Sequence, residues 1–419
     1  MPSPFPKHDQ QNPNFAPNSE SALAPNFAPS FASEFLRNGC FFAIGPSDLL
    51  IGWGEWRTAP QPGTSPCAIF SPGFYFNQQS DPRSDQHDRA VDQNAWRMPA
   101  HFEVITRELF TISVLSKLRA EVNSQIPELT FGKEDFGQRF QWVEPRLEVF
   151  EQQVRVIRER FSEGRLEKAV PVVHSQAREI MTQDRLVAIL EQMNAAPTNL
   201  IPQGFWDAHS GEGLLGATPE RLFSIEKSTE KYRDGSRLVT MALAGTRAKS
   251  AEGNDATKLL NDPKERHEHQ LVIDDLRERL SRYGIVEVGE TKVADLPTLY
   301  HLKTALTVTG SEMDFDSVAR DLHPTPALGI SPRSFGLENM KQWDDLKLRG
   351  RYGAPFGLRL RTEKLDIQDC LVAIRNVQWT KSHAPTLGSG CGFVKESVVD
   401  REWAELQLKR DSVKKVLNV

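Results

Sequence analysis

Two well-separated segments of this chain repeat one pattern, and it limits how the chain can fold. Each is a helix-forming stretch with an apolar stripe that opens on Glu-x-x-Glu: Glu265 with Glu268, and Glu402 with Glu405. The first begins at Asp262-Pro263, a capping acid followed by proline at the first helical position. It runs through Leu271, Leu276 and Leu280, and Gly284 can close it. The second runs from about Asp400 to Leu417, with Leu406, Val413 and Leu417 in its stripe. Acids three apart share a helical face. Lys409, four residues after Glu405, joins the second face. Because each face borders an apolar stripe, partial burial of the acids is expected. A solvated charged face is the commoner use of carboxylates, but two such pairs facing each other would need a cation. Oxygen-only ligands suit Mg²⁺, which keeps several waters and takes a substrate oxygen. His267-Glu-His269 offers residue types that bind zinc, but residues two apart on a helix diverge.

The rest of the chain bounds the class. With 419 residues, 39% hydrophobic and 26% charged, a sizeable core and a globular fold are expected. A net charge of −5, with acids and bases interspersed, gives no footprint for nucleic acid or an anionic membrane. No apolar run reaches the ~18 residues of a membrane span, and no h-region follows Lys7 and His8. Cys40, Cys67, Cys370 and Cys391 are far apart and form no CxxC pair, so reduced thiols in a cytoplasmic protein are expected.

Residues 1–33, rich in Pro, Asn, Ser, Ala and Phe, read as a disordered tail. Residues 34–149 read as the N-terminal part of the fold and 150–419 as its C-terminal region. Phe41–Trp56 and Ala68–Phe76 read as strands broken by Gly and Pro, and 77–95 as a loop. Phe102–Leu118 and Pro145–Phe161 have helical spacing. Beyond Gly164, β-rich runs such as Ala169–Val173, Val239–Leu243, Ala305–Val308 and Cys370–Val377 alternate with helices. This order fits an α/β chain of the α+β kind, one large layered domain with antiparallel strands. A doubly wound parallel sheet fits less well, because there is neither regular strand–helix alternation nor a Gly-rich phosphate loop.

Other residues carry possible chemistry. Leu387-Gly-Ser-Gly-Cys-Gly-Phe-Val394 puts three glycines in five positions, so its backbone N–H groups can cradle an anion. Arg375 ends an apolar run, where it can pair with a structural acid or grip a carboxylate. Lys168 opens a β-rich run, as surface decoration or as a desolvated base. Glu220, in Gly-Ala-Thr-Pro-Glu-Arg, is either an Arg-paired acid or a general acid.

Taken in chain order, ten motifs resemble the catalytic domain of chorismate-utilising enzymes over about residues 150–419. They are Lys168-Ala-Val-Pro-Val-Val, Gly216-Ala-Thr-Pro-Glu-Arg-Leu, Ala242-Leu-Ala-Gly-Thr-Arg, Asp262-Pro-Lys-Glu-Arg-His-Glu-His and His301-Leu-Lys-Thr. Leu322-His-Pro-Thr-Pro-Ala, Arg351-Tyr-Gly-Ala-Pro-Phe-Gly, Val372-Ala-Ile-Arg, Ser389-Gly-Cys-Gly-Phe-Val and Glu402-Trp-Ala-Glu complete the set. The resemblance implies two packed, mainly antiparallel sheets surrounded by helices, with Mg²⁺ as cofactor and chorismate as substrate. By motif position, Glu268 and Glu405 resemble direct metal ligands, and Glu265 and Glu402 supporting acids. Arg375, Lys409, Tyr352 and the amides of Gly390, Cys391 and Gly392 resemble carboxylate-holding groups. Gly245 and Thr246 resemble the pocket floor, and His301 lies beside the ring.

Three positions discriminate within the family. Lys168 stands where ammonia-using members carry glutamine. Ala244 stands where aminodeoxychorismate synthases often place a nucleophilic lysine. Ala327 stands where anthranilate and salicylate synthases have threonine. The combination resembles isochorismate synthases, isomerases that work without an obligatory glutaminase subunit, and a monomer is expected. The implied reaction adds water at carbon 2 and expels the hydroxyl from carbon 4, with Lys168 as base and Glu220 as acid. Salicylate synthase, an aminating enzyme and an inactive chorismate-binding protein are the alternatives. The destination of the product, whether menaquinone, a siderophore or salicylate, stays open. Two departures stand out. Tyr352-Gly353-Ala354-Pro355 replaces Tyr-Ala-Gly-Pro, and Gly329-Ile330 replaces Gly-Gly. The methyl of Ala354 is expected to narrow the pocket.

Overall fold

Ser236–Ala248 and Leu299–Gly310, rich in β-branched and aliphatic residues, form the longest antiparallel pair in the structure. It is a computed structural model describing residues 27–58, 65–76, 95–124, 139–227, 235–250, 253–311 and 313–419. That pair lies in a ten-stranded sheet. Its order is Ile285–Val288, Leu299–Gly310, Ser236–Ala248, Arg221–Lys227, Asp366–Val372, Pro355–Arg361, Cys67–Phe70, Trp96–Met98 and Arg57–Thr58, with Lys292–Asp295 also on Leu299–Gly310. A nine-stranded sheet runs His101–Thr106, Asp48–Trp53, Asn38–Ala43, Ile201–Asp207, Glu212–Thr218, Asn376–Thr380, His383–Gly390, Val172–Ala177 and Trp142–Val143. The neighbours within both sheets pair antiparallel.

The side-chain alternation of the strands explains the layers. Phe42, Leu50, Phe205 and Leu214 of the nine-stranded sheet meet Ile69, Phe356, Leu358 and Leu371 of the other between the sheets. Their alternates Phe41, Leu49 and Leu215 face outward onto helices Phe31–Arg37, Leu115–Ser124 and Gln183–Asn194. On the far side of the ten-stranded sheet, helix Pro263–Leu280 buries Val272, Ile273, Leu276 and Leu280, each worth about 1.5–3 kcal/mol. Leu271, read from the sequence as part of this stripe, is only half-buried.

Several elements differ from the sequence expectation. His101–Thr106 is a strand, not the start of a helix, because Phe102 and Val104 alternate with polar neighbours and pair with Asp48–Trp53. The helical turns begin at Arg107, where Thr106 accepts the Leu109 N–H. Ala169–Val173 splits at Val170-Pro171; proline has no N–H to continue a ladder. Cys370–Val377 is two strands, broken at Ala373–Arg375, where Arg375 takes φ 55°. Part of the expected disordered tail is ordered. Phe31 is buried within a helix, and Phe27 stacks on it at 4.0 Å and meets Trp53 edge-on. Residues 1–26 and, of the loop expected at 77–95, residues 77–94 lie outside the described residues. No helix among the described residues is long and apolar enough to cross a membrane.

Candidate active site

The first acidic helix is fixed by its cap: the Asp262 side chain accepts the N–H groups of Lys264 and Glu265, with Pro263 at the start. This turns Glu265, Glu268 and His269 inward and leaves His267 exposed, so the two histidines diverge. Glu265 Oε2 accepts the Thr246 N–H at 2.7 Å. A bulge allows that contact. Gly245 takes φ +76° at the register shift, and a Cβ there would stand 3.0 Å from the Glu265 carbonyl oxygen. The second acidic helix is Val399–Leu417. It buries Glu402, and Lys409 Nζ lies 2.6 Å from Glu405 and 2.7 Å from the Gly390 carbonyl oxygen.

Lys168 reaches the first of these helices from a separate element. It belongs to a three-stranded sheet in which Lys168–Ala169 is flanked by Ile330–Ser331 and Phe393–Val394. Its side chain is fully buried, with Nζ 3.1 Å from Glu268 Oε1, within ion-pair distance but off the hydrogen-bonding axis. Sequence reasoning does not single out a third lysine. Lys264 Nζ lies 3.0 Å from Glu265, 2.9 Å from Glu402 and 3.5 Å from Glu268. The signal that could have found it is its place four residues before Glu268 on one face. Burial alone would raise the Glu268 carboxyl, but Lys168 and Lys264 hold it at about 2. Burial and the neighbouring Glu268 push Glu265 up to about 7, against the pull of Lys264. Burial and Glu405 do the same to Glu402, also to about 7. Burial lowers Lys409, yet the Glu405 carboxylate more than offsets it and keeps the ammonium firmly charged.

Glu220 follows strand Glu212–Thr218, its N–H donating to Thr218 Oγ1. Burial raises its carboxyl to about 8, so it carries its proton at neutral pH despite the pull of Lys168 and Lys409. Lys168 and Lys409, the cations that act on it, are also the partners of Glu268 and Glu405. Among the described residues Lys168 pairs with Glu268, not with Glu220. His301 is buried, and burial with Lys409 and Arg375 keeps its ring neutral. A hydrogen bond between Nδ1 and the Gly245 carbonyl assigns the proton to Nδ1. Arg375 donates to the Lys409 carbonyl at 3.1 Å from its left-handed backbone, a conformation costing about 1 kcal/mol. Tyr352 is buried, which pushes its hydroxyl up against the pull of Lys409, Arg349 and Arg375. Its segment is held by Arg349, a fully buried cation that bonds the Tyr352 and Leu328 carbonyls and pairs with Asp344 at 3.2 Å. Ala327 is half-buried beside the cluster containing Ala244 and Tyr352.

Two sequence features take a more specific form in the structure. The glycine-rich stretch is strand as far as Gly390, with Cys391 and Gly392 outside the ladder. Gly388 and Gly390 pair with His174 and Val172 of strand Val172–Ala177. At Gly392 a Cβ would overlap the Glu268 carboxylate and come within 2.9 Å of Lys168 Cε, so this glycine makes room for the protein's own acid. The methyl of Ala354 is buried with Ile330, Phe74, Ala169 and Phe393, so both departures pack in an apolar cluster instead of narrowing a pocket. Gly353, at φ +81°, is where the backbone requires glycine. Cys391 is buried, which pushes its thiol well above the usual range.

The donor set suits a hard cation: four carboxylates from two helices, three of them buried. As they stand, no three His, Cys, Asp or Glu side chains among the described residues are arranged to hold a metal ion. The Lys264 ammonium bridges the helices instead.

A buried acid–lysine cluster between an antiparallel two-sheet body and its helices defines a class. The family model for chorismate binding enzymes matches residues 103–418, and the chain belongs to that family. It is 34% identical over 215 residues to the salicylate biosynthesis isochorismate synthase of Pseudomonas aeruginosa, covering 49% of this chain and 42% of that protein. It is 31% identical to isochorismate synthase MenF of Bacillus subtilis, over 48% of this chain and 41% of that protein. The chain thus spans less than half the length of these relatives. The fold matches that of the menaquinone-specific isochorismate synthase MenF from Escherichia coli, with TM-score 0.66, 17% identity, and coverage of 94% of this chain and 92% of that one. It also matches anthranilate synthase component I from Streptococcus pneumoniae, with TM-score 0.61, 15% identity, and coverage of 96% and 98%.

Proposed function

We propose that the chain is an isochorismate synthase, an isomerase converting chorismate to isochorismate with Mg²⁺. The observation that carries this reading is a buried lysine, Lys168, whose charge acts on a buried carboxyl, Glu220, that keeps its proton at neutral pH. Water is a poor nucleophile and hydroxide a poor leaving group, so the reaction needs a base at carbon 2 and an acid at carbon 4. Lys168, in its amine form, takes the proton of the entering water. Glu220 donates its proton to the departing hydroxyl. In the reverse reaction they exchange roles. Arg375 and Lys409 hold substrate carboxylates, Tyr352 and His301 line the ring, and Gly245 and Thr246 form the floor. The absence of a side-chain amine at Ala244 and of a hydroxyl at Ala327 supports this reading over amination and pyruvate loss.

Glu268 and Glu405, supported by Glu265 and Glu402, would hold Mg²⁺. When bound, the ion neutralises the ring carboxylate and favours the charge shift. On this reading the protein is cytoplasmic, consistent with four free, buried cysteines, and acts as a monomer without a glutaminase subunit. Product analysis after incubation with chorismate and Mg²⁺, with and without ammonium, tests the proposal. Isochorismate in both arms is expected. Salicylate with pyruvate, or anthranilate appearing only with ammonium, would overturn it.

A further inference from the structure

The acid cluster carries its own cations. Four carboxylates, Glu265, Glu268, Glu402 and Glu405, meet three ammonium groups, and each acid lies within ion-pair distance of at least one lysine. The lysines are held differently. Lys168 is fully buried, with its backbone clamped between two strands. Lys409 is tied to Glu405 and also to the Gly390 carbonyl. Lys264 sits at the open end of its helix, its side chain 19% exposed, and the contacts of its Nζ are to carboxylates alone. Its backbone N–H is fixed by Asp262, so the long side chain can swing to solvent without disturbing the helix.

We propose that Lys264 is a built-in surrogate cation that holds the two acidic helices together before Mg²⁺ binds and must leave the cluster when the ion enters. This rests on the Mg²⁺ reading given above. Charge counting supports the exchange. With all groups ionised, four carboxylates and three ammoniums leave one net negative charge; with Lys264 withdrawn they leave two, which one divalent ion cancels. The position of Lys264 also accounts for the acids as they stand. Its Nζ lies between Glu265 and Glu402, one from each helix, where a shared ion would otherwise draw the carboxylates inward. The lysine therefore lowers the apparent affinity for the ion by the work of its own displacement. It spares the ion-free protein part of the repulsion among four clustered carboxylates, three of them buried.

Calorimetric titration of the substrate-free protein with Mg²⁺, alongside thermal melts with and without the ion, tests this in wild type, Lys264→Met and Lys264→Arg. Lys264→Met should bind Mg²⁺ about tenfold tighter or more, the scale of removing one competing unit charge from a half-buried site. It should also melt lower than wild type without the ion and recover with it. Lys264→Arg, which keeps the charge, should stay near wild type in both. Wild-type binding with no tightening in Lys264→Met would overturn the inference while leaving the metal reading intact. The inference also fails if Lys264→Arg binds as tightly as Lys264→Met, or if Lys264→Met does not fold even with Mg²⁺. No Mg²⁺ binding by any of the three proteins, even with saturating chorismate, would overturn both this inference and the metal reading.

Discussion

The two acidic helices open on the same four-letter pattern but solve different local problems. Pro263–Leu280 is capped by the Asp262 side chain, and its Glu265 is anchored by a backbone amide from the bulge at Gly245. Val399–Leu417 has no side-chain cap, and its Glu405 is held by Lys409, one turn further along. Within the pairs, the leading acids behave alike: Glu265 and Glu402 share Lys264 and are both pushed up to about 7 by burial and a neighbouring carboxylate. The trailing acids each have a lysine of their own, Lys168 for Glu268 and Lys409 for Glu405. The repeated spacing thus sets which acids share a face, while the three lysines set how each acid is paired. In the metal reading the individually paired acids are the direct ligands, and the leading acids support them.

The sharpest way to break this comparison is to neutralise each acid in turn. Glu268→Gln and Glu405→Gln are expected to abolish Mg²⁺-dependent turnover with the fold retained, as checked by circular dichroism and by rate against Mg²⁺ concentration. Glu265→Gln and Glu402→Gln should weaken metal dependence without abolishing turnover. If all four behave alike, the division into leading and trailing acids is wrong. Next in size is Gly392→Ala, which drives a methyl against the Glu268 carboxylate and near Lys168. It should lower stability by about 1–3 kcal/mol in chemical denaturation and reduce turnover more than Gly390→Ala does.

The smallest effect concerns Glu220. Its folded carboxyl titrates at about 8, against an ordinary value of 4.5. Between those values the folded state keeps a proton that the unfolded state has released, so stability falls as pH rises through this window. Glu265 and Glu402 contribute the same sign up to about 7. The part belonging to Glu220 is the slope that Glu220→Gln removes, clearest between about pH 7 and 8 in denaturation midpoints. An unchanged slope there would contradict the raised carboxyl.

Much of this site is legible in the sequence because it rests on local rules. The Asp262-Pro263 cap, the three-residue spacing of the acids and the order of ten motifs need no tertiary knowledge. What escapes is contact across elements. Lys264 reads as an ordinary first-turn lysine until Glu402 is brought opposite it from another helix. The Gly388–Gly392 run reads as one glycine-rich turn, since nothing local shows that Gly388 and Gly390 pair in a strand or that Glu268 fills the space beside Gly392. His101–Thr106 reads as helix because apolar residues in the following helix extend a 3.6-residue period backward over a strand. Phe27 and Phe31 read by composition as part of a tail, yet each finds an aromatic neighbour in Trp53.

The central claim is that Lys168 and Glu220 act as base and acid on one bound chorismate. Measuring turnover, chorismate binding and Mg²⁺ affinity on the same preparations of Lys168→Ala and Glu220→Gln tests it most directly. The Mg²⁺ measurement is needed because Lys168 also neutralises Glu268. Each variant should lose about two to four orders of magnitude in isochorismate formation while still binding chorismate through Arg375 and Lys409. Near-normal isochorismate production by Lys168→Ala would contradict the account.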